Sequence, residues 1–151
     1  MEKKVIWLAS YPKSGNTWFR IILSNLMGEE EIDINDLEKM PISSSRPVME
    51  NYTGFDSSNF FHDEADKLRP ITNDLYAQDC QEITFRKCHD AFTYPETDKP
   101  LLGRPEFHKA IYIIRNPLSI VASLANHNNV TIDKAIQQMA DESYSLNNTN
   151  R

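Results

Sequence analysis

Glycine is scarce in this chain. Four occur in 151 residues, at positions 15, 28, 54 and 103, so the dinucleotide fingerprint GxGxxG cannot be written anywhere. The Walker A loop is excluded as well: it places lysine directly after the second of two glycines, and here Lys13 precedes the nearby Gly15. Cysteine is scarcer still. Cys80 and Cys88 fit neither a CxxC metal pattern nor a disulfide framework and read as two reduced thiols. No apolar run approaches the ~20 residues of a membrane helix, and Val5 to Ala9 is too short for a secretory core before it meets Ser10-Tyr11-Pro12. Positive charge is in deficit, since 16 Lys and Arg against 22 Asp and Glu leave a net charge of -6. That balance argues against a broad nucleic-acid or anionic-membrane surface, which needs cations to neutralise phosphates. A cytoplasmic protein with no nucleic-acid and no membrane partner is expected, and any anion site has to be local.

What the chain does have is the 40% hydrophobic and 25% charged composition of one soluble domain, able to bury a central sheet. Three segments read as strands: Lys4 to Leu8, Glu82 to Lys87, and Lys109 to Ile114. The runs "VIWL" and "AIYII" in the first and third are those of strands covered on both faces in a parallel sheet. Helical patterns follow both. Thr17 to Met27 is apolar at Trp18, Phe19, Ile22, Leu23 and Leu26, with Gly28 as a stop. Asn116-Pro117 reads as an N-cap followed by proline at the first helical position. A third helix is expected from Thr131, with Ile132, Ala135, Ile136, Met139 and Ala140 on one buried stripe. Between these units, Glu29 to Lys39 is acidic, and Met40 to Pro70 is expected to be irregular apart from a short helix near Asn59 to Leu68. A further loop from Ala91 to His108 contains Pro95, Pro100 and Pro105.

Strand, turn and helix, occurring twice, predict an α/β domain with a parallel β-sheet flanked by helices. Ligands in such sheets sit beyond the carboxyl ends of the strands. The loops Ser10 to Asn16 and Arg115 to Pro117 both lie at such ends. In "YPKSGNTW" the free N–H groups and dipole of a helix N-terminus are joined by Gly15, which permits close backbone approach, and by the charge of Lys13. Ser14, Asn16 and Thr17 add side-chain donors. The same turn is also compatible with an ordinary strand-to-helix connection whose lysine is solvated.

The octapeptide Tyr11-Pro12-Lys13-Ser14-Gly15-Asn16-Thr17-Trp18 resembles the 5'-phosphosulfate loop of the sulfotransferases that use 3'-phosphoadenosine 5'-phosphosulfate (PAPS), departing from it at Asn16. A second stretch, "RNPLSIVAS", resembles the family's 3'-phosphate site, in which a strand-end arginine and a serine eight residues later grip the phosphate. Arg115 and Ser123 have that spacing, about a hundred residues after the first motif. Arginine offers phosphate a bidentate fork, and Ser123 falls about two turns into the following helix. Ser119 stands where the family often has Asp. A third stretch, "FRKCHD", resembles the family's Lys-Thr-His, with Cys88 in place of Thr.

The resemblance implies a P-loop-like nucleotide-binding architecture, here an incomplete sulfotransferase fold spanning residues 1–151 as a single domain. It implies transfer of a sulfuryl group from PAPS to a hydroxyl or amine of a small-molecule or carbohydrate acceptor, without a metal. His89 is then the general base, Lys13 and Lys87 stabilise the transferring group and the departing phosphate, and Lys13 to Trp18 with Arg115 and Ser123 hold the nucleotide. His62, His108 and His127 match no catalytic position. The family's later Arg-Lys-Gly segment has no counterpart between Asn126 and Arg151, a stretch whose last part is the polar run "SLNNTNR". Two readings stay open: an active transferase, and a truncated module that binds nucleotide or a partner without turnover. A missing covering segment would also bare apolar surface and favour a homo-oligomer. A P-loop kinase is disfavoured by the order of lysine and glycine.

Overall fold

A computed structural model describes residues 4–27, 41–93 and 99–144. The Gly28 helix stop, the acidic stretch 29–39, Pro95 and the polar run 145–151 lie outside the described residues. Within them, three parallel strands form a sheet in the order β2-β1-β3: β1 Val5–Ser10, β2 Thr84–Cys88 and β3 His108–Ile113. Val5 is in register with Thr84 on one side and His108 on the other. The central place of β1 follows from its apolar run, because Val5, Trp7 and Leu8 are all buried.

Helices α1 Asn16–Leu26 and α4 Pro117–Asn128 each follow a strand after a short turn. At α4 the expected capping is present: the Asn116 side chain accepts from the Leu118 N–H, and Pro117 fills the first turn. Helix α5 Ile132–Ala140 starts from Thr131, whose hydroxyl accepts from the Lys134 N–H. It packs on α4 through Ala135 and Met139 against Val121 and Ala125.

Four expectations need correction. The apolar run of β3 is not covered on both faces, since Lys109 to Tyr112 are exposed and Tyr112 retains 67% of its accessible surface. β3 lies at the sheet edge, and coverage depends on neighbours that a strand's own composition does not encode. Ile132 and Ile136 of α5 are likewise exposed, because α4 covers only the Ala135 side. In α1 the apolar positions Trp18, Ile22 and Leu26 point outward, and Asn16, Arg20 and Ser24 are the buried ones. The stretch 41–70 is more regular than expected: the short helix placed near Asn59 to Leu68 is there as the start of a longer α3 His62–Asp79, and α2 Arg46–Thr53 precedes it unannounced.

α3 runs through Pro70, which cannot donate to the preceding turn and normally ends a helix. Packing overrides that preference. Tyr76 and Ala77 lie in the core with Val5, Trp7, Cys88 and Leu102, so α3 covers one face of the sheet. Its buried side is largely polar, with Arg69, Thr72, Asn73 and Asp74, and Arg86 of β2 donates to Asn73 at 2.8 Å. A parallel bridge from Ile42 to Lys87 and the Ser43 N–H to Lys87 carbonyl bond of 2.8 Å then lay the segment before α2 along β2. These contacts place Ser43 and Ser44 beside the carboxyl end of the sheet.

Candidate functional site

The carboxyl ends of the three strands meet at a cleft of about 650 Å³. β1 delivers the turn after Ser10, in which Ser14 N–H donates to the Tyr11 carbonyl at 3.2 Å and Gly15 takes a φ of 103° to open α1. Only glycine adopts that conformation at little cost. Lys13 is also left-handed, with a φ of 67°, a conformation that costs a side-chain-bearing residue of order 1 kcal/mol or more. Arg115, just past β3, holds this turn by donating from its guanidinium to the Lys13 carbonyl at 3.1 Å.

The two strand-end motifs and the third one therefore converge. Lys13, Gly15, Asn16, Thr17, Trp18, Lys87, His89, Arg115 and Ser123 all line the cleft. Ser14 does not line it; its hydroxyl is buried without a hydrogen bond. Asn16 reaches the cleft but sends its amide inward, donating to the Leu8 carbonyl at 2.8 Å and the Ser10 hydroxyl at 3.1 Å. Trp18 is 73% exposed at the start of α1.

His89 is the best-defined group. Its Nδ1 lies 2.7 Å from the Ser10 carbonyl oxygen and 3.3 Å from the Ser10 hydroxyl. A carbonyl only accepts, so Nδ1 carries the proton and Nε2 of the neutral ring is the acceptor. Burial holds the His89 pKa below its ordinary value, and the charge of Lys87 pushes the same way against the Ser10 carbonyl and Asp90. Lys87 is itself lowered, by burial first and then by Arg20 and Lys13. Cations thus gather around this end of the sheet in a chain whose net charge is -6. Such a site attracts an anion and offers a base held ready at neutral pH.

Several residues of the site were given no role in the sequence reading. Ser10, buried behind the cleft where it fixes the imidazole, carries no mark beyond its place at a strand end. Ile42 and Ser44 come from the stretch read as irregular, where no pattern points to the cleft. His127 could have been found, because it stands one helical turn after Ser123 and so shares its face of α4. Asp90 adjoins His89 in sequence, yet its partner Arg69 lies in α3, at 2.6 Å.

Among the described residues, no group of three or more His, Cys, Asp and Glu side chains lies together as a metal site would require, and no helix is long and apolar enough to cross a membrane. The family model described as a sulfotransferase domain matches residues 3–149. No curated protein and no solved structure matches the chain.

Proposed function

The chain belongs to the sulfotransferase-domain family, and from that premise we propose that it transfers a sulfuryl group from PAPS to a hydroxyl or amine acceptor. The observation that carries this reading is the convergence of Lys13, Lys87, His89, Arg115 and Ser123 on one cleft, with His89 Nε2 left free to accept a proton. Residues 1–151 act in this reading as a single sulfotransferase-like domain.

The cations of the cleft suit an adenosine nucleotide that bears phosphate at both its 3' and its 5' position. The turn at Lys13 offers cation and helix N-terminus to a 5'-phosphosulfate, and Arg115 with Ser123 offers a second anion grip in the same cleft. PAPS, when bound, supplies an electrophilic sulfur and a phosphate leaving group. His89 Nε2 takes the proton from the acceptor as its oxygen or nitrogen bonds to sulfur. Lys13 and Lys87 stabilise the charge that collects on the departing 5'-phosphate as the sulfur–oxygen bond breaks. Ser10 keeps the imidazole in the tautomer this step requires.

Titration calorimetry with 3'-phosphoadenosine 5'-phosphate and with ATP tests the reading. Preferential binding of the 3'-phosphorylated nucleotide is expected, and equal or tighter binding of ATP overturns it. Sulfate transfer to a phenol or a simple sugar then distinguishes a transferase from a binding module.

A further inference from the structure

Asp90 is the one carboxylate among the described residues that line the cleft. A negative charge there opposes the anion binding that Lys13, Lys87 and Arg115 provide, and it would draw a proton onto its neighbour His89. The fold deals with this charge from behind. Arg69, on the buried side of α3, donates from one nitrogen to Asp90 Oδ2 at 2.6 Å and from the other to Asp90 Oδ1 at 3.3 Å. The Ser43 hydroxyl also donates to Asp90 Oδ2 and in turn accepts from Arg69 at 3.0 Å. Asp66, one turn earlier on α3, takes a further Arg69 hydrogen bond at 2.9 Å, so the guanidinium is gripped from both sides. The Arg69 side chain is only 7% exposed, against 27% for Asp90.

We propose that Arg69 is a positioning residue for the sulfuryl transfer: it holds the Asp90 carboxylate against α3, away from the cationic group, and thereby fixes the turn that carries His89. This rests on the reading of the cleft as an anion site. Three parts of the chain meet in the device, since α3 supplies Arg69, the segment before α2 supplies Ser43, and the turn after β2 supplies Asp90. The bidentate fork matters because it engages both carboxylate oxygens at once. Burial pushes the Asp90 carboxyl up, but the bonds and charge of Arg69, joined by hydrogen bonds from Ser43 and Cys88, hold it below the usual range, so Asp90 stays charged and paired.

The test compares Arg69→Gln with the Arg69→Gln/Asp90→Asn double variant, and Arg69→Met serves as a harsher form of the first. Gln keeps a donor and much of the volume, and the double variant leaves no unpaired carboxylate at position 90. The charged and titratable groups that share the cleft with His89 are Lys13, Lys87, Asp90, Arg115 and His127, and Arg20 acts on Lys87; only Asp90 is expected to move. In the ligand-free protein, proton NMR of the His89 ring should show the titration midpoint rising by about half a pH unit in Arg69→Gln. It should return in the double variant. A midpoint that stays put in the single variant, or rises equally in both, overturns the proposal.

Calorimetry with 3'-phosphoadenosine 5'-phosphate should show roughly tenfold weaker binding in Arg69→Gln, regained in the double variant. A loss that the second substitution does not restore means a merely structural role and also overturns it. If the unaltered chain fails to bind this nucleotide, the proposed function falls, while the His89 titration still decides the role of Arg69.

Discussion

Arg115 and Lys13, separated by 102 positions in the chain, are joined by a hydrogen bond of 3.1 Å from the guanidinium to the backbone carbonyl. The residue expected to grip one end of the nucleotide thus also braces the turn expected to grip the other. The bond explains how a lysine is held in a left-handed conformation that its side chain disfavours.

Substituting Arg115 should therefore show two effects. In Arg115→Ala, affinity for 3'-phosphoadenosine 5'-phosphate should fall by about 10- to 100-fold, the worth of a charged hydrogen bond to phosphate. Adenosine 5'-phosphosulfate lacks the 3'-phosphate, and its binding should fall less but measurably, through the loosened turn. Calorimetry with both ligands checks this. No change for the second ligand would show that the brace contributes nothing.

His89 carries the second prediction. His89→Ala should lower turnover by about 10²- to 10⁴-fold with little change in nucleotide binding. Unchanged turnover removes His89 from the base role. Because burial depresses its pKa, the acidic limb of the rate profile should fall below the ordinary imidazole range. The same shift bears on stability: the unfolded chain binds this proton more readily than the folded one, so stability rises with pH and is lost as pH drops through and below about 6.5. Melting temperatures of the unaltered chain and His89→Gln, compared between about pH 7.5 and about pH 5.5, check the sign. The unaltered chain should lose more on acidification.

Arg86 is a structural counterpart to Arg115. It is fully buried, stacked with its guanidinium 4.7 Å from the Trp7 ring centroid and 4.4 Å from that of Tyr76, and it donates to the Ile42 carbonyl at 3.2 Å. Burial pushes its pKa down to about 10, so it remains a cation at neutral pH. Arg86→Lys keeps the charge but loses the planar stack and the forked donation, and should cost about 1–3 kcal/mol in denaturant unfolding. It should also loosen the Ile42 to Ser44 wall of the cleft. A stability within about 0.5 kcal/mol of the parent would contradict this account.

The strand-turn-helix units were legible because their signals are local. The apolar run of β1, the capping pair Asn116-Pro117 and Thr131 each specify their element within a few residues. α3 was legible only at its start, as the short helix expected near Asn59 to Leu68, because its buried side is mostly polar, with Arg69, Asn73 and Asp74 paired to groups on β2 and in loops distant in sequence. Apolar periodicity cannot reveal a helix that buries polar groups, and Pro70 reads as a stop unless packing is known. The site divides the same way. Lys13, His89 and Arg115 stand at strand ends, where the topology brings them together. The Ser10 carbonyl and Arg69, which orient His89 and its neighbour, reach the site only through the tertiary fold.

Cys88 illustrates how position decides chemistry between two residues of one type. Its side chain is buried, and its sulfur accepts from the Asp90 N–H at 3.3 Å. Burial, with the Asp90 charge adding to it, pushes the thiol up to about 11. At neutral pH the thiolate fraction is then about one in 10⁴, and the nucleophilic form is the thiolate. Cys80 is half-buried at the end of α3. Brief treatment of the folded protein with iodoacetamide should therefore modify Cys80 and spare Cys88, while both react in denaturant. Peptide mass spectrometry reads the difference, and rapid native labelling of Cys88 would mean that the end of β2 opens and that the turn carrying His89 is less fixed than its bond to Ser10 implies.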